Sequence, residues 1–269
     1  MDNLLGTKNF ISSSVGVRRA LATRRVRESN VSAVRSAMLS TASDAGSWAG
    51  LQGWIEIGFI FVLFFLVAGS PPPAVNEAHY LAKAKHYWDP TWCGGDLFLE
   101  SADPHITFYW LFGWVTLFTS LTTAAWIGRV LCWALLAAAW QQFSWSLFPR
   151  RWISLVTASL FLVLLDRCHL AGEWVVGGVE AKTAAYALVL YGLRSIVLGQ
   201  WRAVWIWLGA ASALHVLVGG WSVVAAGICW CFSGANRLPL RQMVPALLIG
   251  GCLSLPGLIP SLVLSRGAD

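Results

Sequence analysis

Between Glu56 and Glu77 the chain carries no ionisable side chain, and the stretch Ile57–Ala68 is almost wholly aliphatic and aromatic. A run of this kind needs an apolar surrounding along its whole length. A soluble domain offers that only to short core segments, whereas a bilayer offers about 30 Å of hydrocarbon, crossed by about 20 helical residues. Further apolar runs follow at Ala125–Phe148, Trp152–Leu165, Thr183–Gly199, Val204–Val218, Trp221–Phe232 and Val244–Leu264. Hydrophobic types make up 57% of the 269 residues and charged types only 12%, with 17 Trp and 13 Phe. A soluble chain carries about a quarter charged residues, so this one cannot cover itself with polar surface. An ordinary cytosolic enzyme, a disordered chain and a small disulfide scaffold are excluded. The expected fold class is all-α: a polytopic integral membrane protein of about seven transmembrane helices (6–8), its partner the lipid bilayer.

Charge sets the expected orientation. Residues 1–53 hold seven Lys and Arg against three acids, while residues 70–105 hold five acids against Lys83 and Lys85. The positive-inside bias places the N-terminus in the cytoplasm and the acidic segment outside. Residues 1–50, rich in Ser, Ala and Arg, are read as a disordered basic cytoplasmic tail, not a cleaved signal. No folded basic domain accompanies them, so a nucleic-acid partner is not expected. Residues 51–269 form the membrane domain, placed in the cell inner (plasma) membrane. Its first extracytoplasmic loop runs over 70–124 and its second over 166–182. Pro71-Pro72-Pro73 ends the first span. The aromatic segment Ile106–Leu121 is expected to lie flat in the interface, because Arg150-Arg151 then falls on the cytoplasmic side. Cysteines are read as packing residues. Cys229-Trp230-Cys231 lacks the partner pair of a zinc site, and a Cys93–Cys168 disulfide is open but not required.

Ionisable groups in or beside spans need a partner or a task. Glu77, in Asn76-Glu77-Ala78-His79-Tyr80, sits at the lipid–water boundary, where partial desolvation suits a carboxylate to general-base or metal-binding chemistry. The bland alternative is a solvated loop acid. Asp166, in Leu164-Leu165-Asp166-Arg167, reaches the same boundary from a later span, or is neutralised there by Arg167. Glu173 and Glu180 flank Gly177-Gly178, a pair that permits close backbone approach, as in a re-entrant segment lining a polar cavity or in an ordinary loop. Lys182 follows. His215 falls within a span and is either satisfied by a neighbour or lines a cavity. Arg129 opens a span from outside, where it can grip phosphate or snorkel. Glu56, at the inner end of the first span, is explained by topology alone.

A basic inner N-terminus, one span, an acidic outer loop opening with Glu77, an interfacial aromatic helix and a second outer acid at Asp166 resemble the front half of GT-C type membrane glycosyltransferases. Pro104-His105, Tyr109-Trp110 and Gly113 resemble the aromatic tract of that family's first loop, and Arg129 matches an arginine that opens the second span in some members. The likeness covers roughly residues 54–200. It departs from the family where Asn76 precedes the first acid and Arg167 follows the second. The resemblance implies a polyprenyl-phosphate-linked sugar as donor and Glu77 and Asp166 as catalytic acids. It implies a substrate site drawn from Asn76, His79, His105, Tyr109, Arg129, Glu173, Glu180, Lys182 and His215. A divalent cation, Mg or Mn, would bridge Glu77 and Asp166 as in some members. Two other classes stand beside this one. A transporter or channel would need Glu173, Glu180 and His215 near the bilayer centre. A non-catalytic assembly protein would leave the outer charges solvated.

Overall fold

A computed structural model describes residues 46–74, 76–168, 175–234 and 237–266. The expected basic tail lies largely outside them, as does Glu173. The chain divides into a leading unit, Met1–Gln52, and a main unit, Gly53–Asp269. The contacts below all fall within the main unit.

The described residues form eleven helices joined by turns and loops, with no strand among them. These are α1 (Gly46–Ala68), α2 (Glu77–Trp88), α3 (Leu97–Glu100), α4 (Ile106–Phe112), α5 (Val115–Phe118) and α6 (Leu121–Leu147). There follow α7 (Ile153–Arg167), α8 (Ala181–Val197), α9 (Trp201–Leu214), α10 (Val216–Phe232) and α11 (Leu240–Arg266). Three stretches, Gly50–Ala68, Leu121–Leu147 and Leu240–Arg266, are long and apolar enough to cross a membrane. Helices α7, α8, α9 and α10 have 15, 17, 14 and 17 residues. They are shorter than the about 20 residues of a perpendicular crossing. The outward side chains of α1 and α11 include Trp54, Phe59, Leu66, Leu248, Ile259 and Val263, all exposed. That is the surface a helix presents to hydrocarbon rather than to water.

The expected single segment Ile106–Leu121 is two short helices broken at Gly113-Trp114, and neither is long enough to cross. Gly113 and Trp114 keep right-handed helical torsions, and Gly113 packs tightly: a Cβ there would stand 2.7 Å from the Ala84 carbonyl and 2.8 Å from the Trp88 ring. The expected span Val204–Val218 is also interrupted. His215 is extended (φ −145°, ψ 103°), and its Nδ1 accepts the Val218 amide at 3.4 Å, capping α10. Residues seven apart in one continuous helix lie about 10 Å apart along its axis. Here a Cβ on Gly219 would come within 2.2 Å of the Ser212 amide nitrogen, so α10 turns back against α9. Glycines bring α11 equally close. A Cβ on Gly209 would meet the Gly250 carbonyl at 2.2 Å, and one on Gly257 the Ser212 carbonyl at 2.4 Å. Small residues at such crossings let backbones touch, which substitutes for a hydrophobic drive in lipid.

Three cores result. Ile60 and Phe64 of α1 pack with Trp133 and Leu136 of α6, Ala158 and Leu162 of α7, and Val175-Val176. Leu81 and Ala84 of α2 pack with Phe108, Tyr109, Ala124, Ala125 and Val179. Helices α8 to α11 share the third, around Val204, Trp205, Leu208 and Met243.

Glu56 departs from its expected role. It is fully buried, its Oε1 accepts the Trp152 amide at 2.8 Å, and its Oε2 accepts the Ser154 hydroxyl at 2.5 Å. Trp152 is left-handed (φ 64°) and gives α7 no side-chain cap. The acid of α1 caps α7 across the bundle. All six cysteines are free, Cys93 and Cys168 among them.

Candidate functional site

The proline stop after α1 and the N-terminus of α2 leave Glu77 at the first helical position, facing inward and fully buried. Four donors converge on its carboxylate. Oε1 accepts Arg129 Nε at 2.8 Å and the Val179 amide at 2.9 Å. Oε2 accepts Arg129 Nη2 at 2.6 Å and the Ala74 amide at 2.8 Å. Arg129, on α6 and also fully buried, donates Nη1 to the Ser70 carbonyl and lies 4.9 Å from the Trp126 ring centroid. This is a bidentate, charge-assisted pair with further hydrogen bonds, the arrangement that makes a buried ion pair tolerable. Burial pushes the Glu77 carboxyl upward. The Arg129 hydrogen bonds and the two backbone amides outweigh it and hold the group below the ordinary carboxylate range.

The paired glycines serve this pair. Residues 175–183 are buried apart from half-buried Gly177, whose carbonyl accepts Trp133 Nε1 at 3.0 Å. A Cβ on Gly178 would sit 3.1 Å from the Ala74 Cβ and 3.2 Å from the Glu77 Cβ. On α6, a Cβ on Gly128 would stand 2.5 Å from a Val179 methyl. Glycine at both points lets 177–179 lie between α2 and α6 and aim the Val179 amide at Glu77.

A second polar group adjoins. The His105 ring, which begins α4, lies 5.2 Å from the His215 ring between centroids. His105 Nε2 is 3.2 Å from the Tyr80 hydroxyl, and the Asp103 carboxylate accepts the His105 amide at 2.8 Å. Asp103 also lies 3.4 Å from Lys83 Nζ, which donates to the Ser101 carbonyl and hydroxyl at 2.9 Å each. Asp103 faces the Tyr109 hydroxyl as well, and burial together with that carboxylate raises the phenol above its ordinary range. Burial lowers the imidazole of His105, against the pull of Asp103, so the ring is neutral near pH 7. Lys182 Nζ lies 3.4 Å from Glu180 Oε2, and its charge reaches the His215 ring.

The structure therefore brings together Glu77, Arg129, His105, Tyr109, Glu180, Lys182 and His215. Asn76 begins α2 through its carbonyl and makes no side-chain cap, and His79 is exposed, 5.3 Å from the Phe98 ring. Asp166 stands apart from the group. It is 82% exposed at the end of α7, 3.8 Å from Arg167. The two acids expected to act together differ in setting: the Glu77 carboxylate accepts four hydrogen bonds, and that of Asp166 is on the surface. Among the described residues no group of three or more His, Cys, Asp or Glu side chains is placed to hold a metal. Lys83, Asp103 and Tyr80 were not singled out by the sequence as members of the site, although Asp103 precedes Pro104-His105 directly. Buried His105 Nδ1, Thr107 Oγ1 and Thr183 Oγ1 make no hydrogen bond among the described residues. The site holds the Glu77–Arg129 and Glu180–Lys182 ion pairs, two neighbouring imidazole rings and the Thr107 and Thr183 hydroxyls.

No family model, curated protein or solved structure matches this chain.

Proposed function

We propose that the chain is a polytopic membrane protein of about seven spans with a cytoplasmic N-terminus. On this reading it moves a sugar from a polyprenyl-phosphate donor to an acceptor hydroxyl on the extracytoplasmic face. The observation that supports this most is the buried Glu77–Arg129 pair, at the junction of the first loop with the second long helix. A carboxylate and a guanidinium are costly there, and transfer from a lipid phosphate can use one as base and the other as phosphate ligand.

In this reading the donor phosphate draws Arg129 away from Glu77, and Lys182 supplies a second cation. The freed carboxylate regains basicity and takes the acceptor's proton. The acceptor oxygen then forms its bond to the anomeric carbon as the bond to the phosphate oxygen breaks. The leaving polyprenyl phosphate keeps that electron pair, and its charge is met by the two cations. His105, His215 and Tyr109 bind sugar hydroxyls. Asp166, the second acid expected from the sequence, lies on the surface beside Arg167 and is not needed for this step.

The test uses the full chain in lipid nanodiscs with labelled polyprenyl-phosphate-linked hexoses, pentoses and aminosugars. Consumption of one donor, lowered about 10²–10³-fold in Glu77→Gln and Arg129→Lys, is the expected result. Absence of both consumption and saturable binding of any such lipid overturns the reading.

A further inference from the structure

The connections α6–α7, α8–α9 and α10–α11 share one end of the helical bundle. Helices α6 and α8 start side by side, where a Cβ on Gly128 would meet Val179. They run the same way, with Trp140 and Tyr191, late in each, packed on one core. Helices α9 and α11 also start side by side, since Arg202 Nε donates to the Gln242 carbonyl at 3.1 Å. Arg150, Arg151, Arg194, Arg202, Arg237 and Arg241 all fall at this end. Asp166 and Glu180 stand at the other, where α7 ends and α8 begins. Among the described residues the acid nearest the arginines in the fold is Glu56, buried and engaged by the Trp152 amide and the Ser154 hydroxyl. None of the six arginines makes an ion pair with a described residue. Exposed apolar side chains are interleaved with them: Phe148 and Trp152 flank Arg150 and Arg151, and Phe232 and Leu240 flank Arg237. A helix end that leaves Phe232 86% exposed fits hydrocarbon rather than water, which sets these guanidinium groups at the depth of lipid phosphates.

We propose that this end binds anionic phospholipid, with Arg202, Arg237 and Arg241 together holding one phosphate headgroup. Three contacts fix these arginines at the heads of α9 and α11. Arg202 is tied to the Gln242 carbonyl, one residue from Arg241. Arg237 lies 5.1 Å from the Trp230 ring centroid, and Trp230 Nε1 donates to the Leu238 carbonyl at 3.0 Å, which holds the loop. The Gly209–Gly250 crossing sets the spacing of the two helices behind them. Arg202 uses only Nε in its bond, so its terminal nitrogens remain for an outside acceptor, and a guanidinium grips phosphate through two parallel bonds. The bias of cations toward one side of a membrane counts charges only and leaves this fixing unexplained. Charge complementarity selects the occupant. A zwitterionic headgroup brings a cation of its own in among the arginines, and an anionic one brings none. Such binding is independent of the sugar transfer proposed above.

The test offers the full chain, in a neutral detergent, equal amounts of phosphatidylglycerol and phosphatidylcholine with the same acyl chains. Retained lipid is counted by native mass spectrometry. Phosphatidylglycerol should be preferred about tenfold or more, and the preference should fall about fivefold in each of Arg202→Gln, Arg237→Gln and Arg241→Gln. Arg167→Gln, exposed at the far end of α7, removes the same charge and should leave the preference unchanged. Equal retention of the two lipids overturns the proposal. An equal fall in Arg167→Gln does so too, since net charge alone is then responsible. Displacement of the lipid by glycerol 3-phosphate at the same concentration assigns the arginines to a soluble phosphate and also overturns it. A second measurement needs only the wild-type chain. Phosphatidylglycerol, and not phosphatidylcholine, should protect Arg202, Arg237 and Arg241 from phenylglyoxal, read by peptide mapping, and leave Arg167 reactive. Absence of that protection overturns the site even where a glutamine variant does not fold.

Discussion

Glu56 accepts the backbone amide of Trp152 at 2.8 Å, a contact that spans 96 residues and fixes the start of one helix from the middle of another. A helix N-terminus leaves amides without partners, and in an apolar surrounding each costs more than in water. The Phe59 ring, one turn along α1, packs edge-on against the Trp152 ring with centroids 5.7 Å apart. Glu56→Ala should therefore lower unfolding stability by about 1–3 kcal/mol, and Glu56→Gln, which keeps one acceptor, by less. Thermal unfolding in detergent is the measurement, with Ser154→Ala as the smaller, single-bond reference.

Arg129 and Glu77 should be strongly coupled. Removing one partner strands a buried charge, at about 3–5 kcal/mol, whereas removing both leaves an apolar pocket. Arg129→Met and Glu77→Leu should each be severe, and the double variant milder than the sum of the two. A double-mutant cycle on thermal unfolding gives the coupling directly.

Acid should act on the same carboxylate. Its folded-state pKa lies below the ordinary value of 4.5. The unfolded chain therefore binds the proton more readily, and the stabilisation is complete above about pH 4.5. It is lost as pH falls below that value and on through the folded one. Glu77→Gln should flatten this part of a pH–stability curve.

His105 should produce a separate loss at milder pH. Burial depresses its folded pKa from 6.5, so the unfolded state again binds more protons. Stability should fall as pH drops below about 6.5, with Asp103 opposing the loss and Lys83 adding to it. His105→Gln should remove this slope, and a titration of unfolding temperature between neutral and mildly acid pH reads it.

Neighbouring glycines on α11 should behave oppositely. A Cβ on Gly250 would lie 2.3 Å from the Trp205 carbonyl, so Gly250→Ala must force α9 and α11 apart. Its cost should be about 1–3 kcal/mol. Gly251→Ala meets nothing within 4 Å and should be neutral or gain up to about 1 kcal/mol from helix propensity. Unfolding of the two single variants in one detergent decides it.

Helices were the legible part of this sequence. Six of the seven apolar runs fall almost entirely within a single helix, because burial of a helical backbone in an apolar medium demands an uninterrupted apolar stretch, and the seventh, Val204–Val218, is divided at His215. The interruption at His215 was not legible, since nothing in the apolar run marks where α10 turns back against the Ser212 backbone. Within the candidate site, Glu77, Arg129, His105 and His215 stood out as ionisable groups in costly places. Their pairing did not, because the partners lie 52 residues apart in one case and 110 in the other. Gly177-Gly178 announced a close approach but not its target. Asp166 was as conspicuous in sequence as Glu77. Only the packing, which buries one and exposes the other, separates them.

The saturation of Glu77 has a consequence for biogenesis. Its donors come from three stretches of chain, made at different times: Ala74 of the first loop, Arg129 of the second long helix and Val179 after the glycine pair. Until the last has emerged and docked, the nascent protein carries a carboxylate that nothing has finished satisfying. Only when residue 179 arrives is the carboxylate fully satisfied, so a single side chain couples the first two-thirds of the protein into one unit.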